Sequence, residues 1–153
     1  MLDSFARASL WQVGLDYRHG TGHGVGHVLN VHELPIIGTR KYTDIGVCEN
    51  MIITIEPGFY EDQNFGIRIE NCELVVEANT KFKNFNAKPF LTFEPLTYVP
   101  IQRELIDKSL LDASEIEWIN NYHKKCLELT GARLMEQNKT DVYNWLIENT
   151  KEL

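Results

Sequence analysis

The chain has 153 residues and 17.7 kDa, of which 43% are hydrophobic, 10% aromatic and 24% charged, enough for one buried core or one core with a small appendage. Fifteen basic against twenty-two acidic residues give a formal charge of −7, which argues against nucleic acid or an anionic membrane surface as the main partner, since neither would be attracted. No apolar run approaches the length of a membrane span, so no membrane partner is expected. Cys48, Cys72 and Cys126 form no CxxC pair, which speaks against a disulfide framework or a thiolate metal site and fits a reducing cytoplasm. The opening MLDSFARASLW lacks the charged and long apolar regions of a signal peptide, and TKEL at the end is no retention tetrapeptide.

In chain order, Leu2, Phe5, Ala6, Leu10 and Val13 recur at helical spacing behind Asp3 and Ser4, and Gly14 follows as a stop, which predicts a helix over 3–13. In HGTGHGVGH (19–27) glycine takes every second place, hostile to a helix and suited to an extended backbone that something approaches closely. There His19, Thr21 and His23 are expected to share a face, with His27 and His32 close behind. MIITIEPGFY (51–60) and FGIRIENCELVVE (65–77) read as two strands joined by a long hairpin loop through the polar EDQN. Alternation then places Ile52, Thr54 and Glu56 on one face of the first strand, and Arg68, Glu70 and Cys72 on one face of the second.

Residues 79–90 read as a polar loop, and LTFEPLTYVPI (91–101) as an edge or irregular strand because of Pro95 and Pro100. From Asp112 onward Ile116, Ile119, Cys126 and Leu127 predict a helix, and Thr140 is expected to cap a second one carrying Val142, Trp145 and Leu146. The chain thus divides into a mixed part over 1–90 and a tail over 91–153, made of an extended segment and two helices. No internal repeat or low-complexity stretch is present.

Imidazoles on a bare glycine track face whatever fills the adjoining space, and a divalent cation or a substrate is the usual occupant. The plainer reading makes each a satisfied polar residue in a loop. Glu56 and Glu70 sit where a sheet core belongs, and a strand carboxylate buried there costs several kcal/mol unless a cation or donor compensates it; for Glu70 alone an ion pair with Arg68 would suffice. Together His23, Glu56 and Glu70 supply one nitrogen and two carboxylates, a set suited to Mn2+, Zn2+ or Co2+. A mononuclear iron or zinc triad fits less well, because it usually offers two histidines and one carboxylate.

HGTGHGVGHVLNVHE (19–33), TIEPGFY (54–60) and GIRIEN (66–71), in this order and spacing, resemble the pita-bread metallopeptidases, specifically the Xaa-Pro aminopeptidases of the cytosolic aminopeptidase P type. LDSFARASLW (2–11) and FLTFEPLTYVPIQRELID (90–107), followed by two helices, also resemble that family, so the likeness covers essentially the whole chain. Methionine aminopeptidases and creatinase-like hydrolases share the fold, but the FEPLTYVPIQ stretch resembles the proline-specific branch. The resemblance implies an α+β, partial pita-bread fold with an antiparallel sheet and flanking helices, followed by a small helical C-terminal domain through which a homodimer forms.

The resemblance further implies hydrolysis of peptides with proline in second position by a divalent metal centre, most simply Mn2+. It makes His23 a metal ligand, Glu56 a ligand that also handles the proton of the attacking water, and Glu70 the carboxylate bridging two ions. His19 and His32 match substrate-contacting histidines, Arg68 matches a residue that orients the network, and His27 has no assigned role. The family takes two further ligands from upstream aspartates, and Asp16, Asp44 and Asp62 lie in no matching context, so the chain reads as a C-terminal portion with three of the five ligands. The alternative expectation is an inactive remnant that serves as a dimerisation or regulatory partner.

Overall fold

The computed structural model describes residues 1–38, 45–82 and 88–153. The expectation for Asp44 and part of the expected 79–90 loop lie outside the described residues. Two compact units are distinguished, Met1–Thr97 and Tyr98–Leu153.

The first unit opens with helix α1, Leu2–Gln12, within one residue of the expected span. Gly14 follows with φ 76°, the left-handed conformation that ends helices at low cost in glycine. Seven strands are found among the described residues: β1 (Gly22–Gly24), β2 (Glu33–Ile37), β3 (Ile52–Ile55), β4 (Gly58–Glu61), β5 (Phe65–Arg68), β6 (Asn71–Glu77) and β7 (Leu91–Pro95). An antiparallel sheet runs in the order β2-β1-β3-β6-β7, and β4 pairs with β5 in a separate ribbon.

The two long strands expected over 51–60 and 65–77 are therefore four. Pro57 is the physical reason, because it has no N–H to give to a ladder and interrupts the pairing just past Glu56. The register nevertheless does not slip across the gap: Ile55 pairs with Asn71 before it and Gly58 with Arg68 after it. Glu56 thus lies opposite Glu70 and Pro57 opposite Ile69, whose N–H donates to the Pro57 carbonyl at 3.3 Å. One hairpin crosses from one sheet into the other, and both carboxylates sit at the crossing.

The core of this unit lies on the face of β3 and β6 that carries Ile53 and Val75, both fully buried. Each such side chain contributes about 1.5–3 kcal/mol through removal from water. Glu73 pairs directly with Ile53 and shares that face. Burial pushes its carboxyl above the ordinary range, and Oε2 has no hydrogen-bond partner. β7 is an edge strand that ends on Pro95, as its prolines require. It pairs with β6, and it forms the first part of the extended segment expected over 91–101.

The second unit contains α2 (Ala113–Glu136) and α3 (Thr140–Asn149), preceded by short 3-10 turns at Arg103–Leu105 and Lys108–Leu110. Asp112 and Glu115 close a capping box on α2 that satisfies otherwise orphaned N–H groups. Thr140 does not cap α3. It is the first helical residue, and Lys139 precedes it after a turn in which Asn138 takes φ 56°. Ile119, Tyr122, His123, Cys126 and Leu146 form the core of this unit. Among the described residues no helix is long and apolar enough to cross a membrane.

Candidate metal centre

β1 is only three residues long, yet it pairs with β2 on one side and β3 on the other. Its glycines permit this: a Cβ on Gly22 would collide with the Thr54 carbonyl oxygen, so only glycine allows the strand to lie this close to β3. The close approach sets His23 beside the carboxylate that follows β3.

His23 Nδ1 lies 2.8 Å from the Gly24 carbonyl oxygen, an acceptor, so Nδ1 carries the ring proton and donates it. In the neutral ring Nε2 then presents a lone pair, and Glu56 Oε1 stands 3.4 Å from it, both side chains nearly buried. Two acceptors face each other at a separation longer than an ordinary N–H···O bond. A proton or a cation between them relieves the repulsion, and that is the chemistry of a ligand pair. Glu56 is held on every side. Its N–H donates to the Thr21 carbonyl at 2.8 Å, Thr54 Oγ1 donates to Oε1 at 3.1 Å, and Arg68 Nη1 donates to Oε2 at 3.1 Å.

A directed chain of donors continues from Arg68. Its Nε donates to the Tyr60 hydroxyl at 2.8 Å, which leaves that hydroxyl to donate to His19 Nε2, also at 2.8 Å. His19 Nδ1 in turn donates to the Gly20 carbonyl at 2.7 Å. His19 and His23 therefore end on the same polar network, which runs through Tyr60, Arg68 and Glu56. Thr21, expected to share their face, bonds through Oγ1 to Asp3 and Tyr17.

The His32 ring packs against His23 with centroids 4.5 Å apart and lies toward solvent. His27 is exposed. Glu70, also exposed, occupies the position across from Glu56. Among the described residues no group of three or more His, Cys, Asp or Glu side chains gathers around a cation-sized space. Two of the three expected ligands meet, and the third faces them along the backbone only. Arg68 forms its ion pair with Glu56. Asp16 is tied to Arg7 and Asp62 to Arg18, so neither described aspartate joins the centre.

Tyr60 and Thr54 were not singled out as site residues from sequence. A signal for Tyr60 exists in Gly66, its cross-strand partner, where the absent side chain leaves room for the phenol ring. Thr54 carries no such mark, since its role depends on the distance between β1 and β3.

The profile described as "Metallopeptidase family M24" matches residues 1–77, and that described as "C-terminal region of peptidase_M24" matches residues 89–153. The chain belongs to metallopeptidase family M24. Curated M24 relatives include the Xaa-Pro aminopeptidase app-1 of Caenorhabditis elegans, 51% identical over 99% of this chain and 24% of its own length. The aminopeptidase P2 of Arabidopsis thaliana is 48% identical over 100% of this chain and 21% of its own length. A solved M24 structure, the X-prolyl aminopeptidase of Caenorhabditis elegans, described as a cytosolic enzyme with a di-nuclear active site, superposes with a TM-score of 0.90 at 49% identity. That match covers 99% of this chain and 24% of the solved one. The M24 chain therefore spans about a quarter of the length of the relatives it matches. The α+β class with antiparallel sheet and flanking helices, expected from the resemblance, is the fold of that enzyme over this region.

Proposed function

We propose that this chain carries part of the metal centre of an aminopeptidase that releases the N-terminal residue from peptides with proline in second position. The observation that carries the proposal is the opposed pair of acceptors, His23 Nε2 and Glu56 Oε1, 3.4 Å apart inside a network that also engages both carboxylate oxygens and the N–H of Glu56. His23, Glu56 and Glu70 would hold a divalent cation, Mn2+ by preference with Zn2+ or Co2+ as substitutes. Such an ion supplies Lewis acidity toward a carbonyl and acidifies water. Glu56, aligned by Thr54 and Arg68, is the carboxylate suited to take a proton from a water molecule. His19, with a fixed tautomer, and His32, facing solvent beside His23, are suited to touch the peptide. Arg68 holds Glu56 and Tyr60 in mutual register. In this reading residues 91–153 support a homodimer, and the protein acts in the cytoplasm by analogy with the cytosolic nematode enzyme.

Anaerobic Mn2+ titration by calorimetry beside an Xaa-Pro cleavage assay tests the proposal. Saturable binding is expected in the parent chain and is lost in His23→Ala and Glu56→Ala. Binding that survives both substitutions overturns it. A second reading, a non-catalytic partner of a longer relative, draws on the meeting of only two donors among the described residues. It expects no cleavage even in excess Mn2+, and turnover by the purified chain eliminates it.

A further inference from the structure

Arg7 is a buried arginine on α1, and each of its three guanidinium nitrogens donates a hydrogen bond. Nε donates to Asp3 Oδ1 at 2.9 Å, and Nη1 to both Asp16 Oδ1 and the Tyr17 carbonyl at 2.7 Å. Nη2 donates to the His19 carbonyl at 2.6 Å, and the guanidinium carbon lies 3.9 Å over the Tyr17 ring. Bonds from Arg7 hold the Asp16 carboxyl below its ordinary value. One side chain thereby fixes the backbone from Asp16 to His19. An arginine serving only to anchor a helix would not need two carbonyls of the track that leads into the histidines.

The same cluster reaches Glu56. Asp3 Oδ1, shared with Arg7, accepts from Thr21 Oγ1 at 2.5 Å, so the Tyr17 hydroxyl donates to Thr21 at 2.6 Å. The Thr21 carbonyl receives the Glu56 N–H. Gly38, at φ 89°, gives Asp3 the space for this, because a Cβ there would collide with its carboxylate. Arg7 thus stands where the backbone settings of His19 and Glu56 meet.

We propose that Arg7 is a positioning residue for His19: by clamping the Tyr17 and His19 carbonyls it holds the imidazole between Tyr60 and Gly20, so that Nε2 stays an acceptor. The proposal rests on the reading in which His19 faces the peptide. The fork geometry matters more than the charge, since a lysine ammonium cannot reach four acceptors in two directions.

The test is long-range 1H–15N spectroscopy of the histidine rings in the full chain without metal or peptide, on the parent, Arg7→Lys and Arg7→Met. The parent is expected to show His19 as a single Nδ1–H tautomer. Both variants are expected to convert that signal into a mixture of tautomers, while exposed His27 keeps the parent pattern. If Arg7→Met does not fold, Arg7→Lys, which retains the charge over Tyr17, carries the test. A folded variant that loses thermal stability but keeps the single His19 tautomer overturns the proposal, because that is what a purely structural role predicts. The readout needs neither Mn2+ nor turnover, so it fails or succeeds separately from the metal titration on which the functional reading depends.

Discussion

Replacing Thr54 by valine keeps the shape of a side chain that is 3% exposed and removes one hydroxyl that does two tasks. That hydroxyl accepts the His23 N–H at 3.0 Å and donates to Glu56 Oε1 at 3.1 Å. A hydrogen bond to a charged carboxylate contributes about 1.5–3 kcal/mol, and a buried N–H left unsatisfied costs about 1–3 kcal/mol. The added methyl offsets part of this, about 0.8 kcal/mol. A net loss of about 2–5 kcal/mol in urea unfolding is expected. Because Thr54 orients both members of the ligand pair, Mn2+ affinity should fall by about 10–100-fold, the usual effect of removing a partner that orients a ligand. Ile53→Val is the control. It trims the neighbouring side chain on the opposite face and should cost about 0.5–1.5 kcal/mol with Mn2+ affinity unchanged. Full affinity in Thr54→Val, or an equal loss in Ile53→Val, refutes the reasoning.

Gly22→Ala forces a Cβ against the Thr54 carbonyl and should separate β1 from β3; circular dichroism and Mn2+ titration are both expected to register the loss. Glu73→Val removes a buried carboxyl with an orphaned oxygen and should raise the unfolding free energy by about 1–3 kcal/mol at neutral pH. Folding raises the Glu73 carboxyl, so its destabilising effect grows as pH rises above the ordinary value, and the gain from valine should shrink in acid. In the second unit, burial first and the neighbouring Arg103 charge second push His123 below its ordinary value. Its Nε2 accepts from the Ile101 N–H at 3.1 Å, while Nδ1 faces the Lys151 backbone without a bond of ordinary geometry. The neutral ring therefore contributes stability that is intact above about pH 6.5 and is lost as pH falls from there toward the lowered folded value. Unfolding of the parent should become easier in that window, and His123→Gln should flatten the dependence.

The sequence made α1 legible through its apolar spacing and closing glycine, and α2 and the edge character of β7 through periodicity and prolines. It also pointed to His23 and Glu56, because glycine alternation and a carboxylate in a β-branched run are local patterns. Division of the long hairpin between two sheets was harder to read. Pro57 announces an interruption, but only the pairing of Ile55 with Asn71 and of Gly58 with Arg68 shows that the register survives it. The Thr140 cap failed because a turn at Asn138 displaces the helix start, a conformation that composition does not dictate. Spacing alone offers Asp3 to Arg7 and Glu56 to Thr54, but the partners that give each its role, the Tyr17 and His19 carbonyls and the His23 N–H, are backbone groups farther along the chain that no spacing rule reaches.

The hairpin that crosses between sheets also divides labour along its length. Its base is locked by Ile53 and Val75, so the facing of Glu56 and Glu70 is settled before the chain reaches the tip. A residue gained or lost near Asp62–Asn64 would be absorbed in the β4–β5 ribbon, drawing Tyr60 and Arg68 away from His19 and Glu56 while the backbone facing of Glu56 and Glu70 is kept. Sequence drift at the tip would thus act on the bonds that orient His19 and Glu56 and leave the strand pairing beneath them intact.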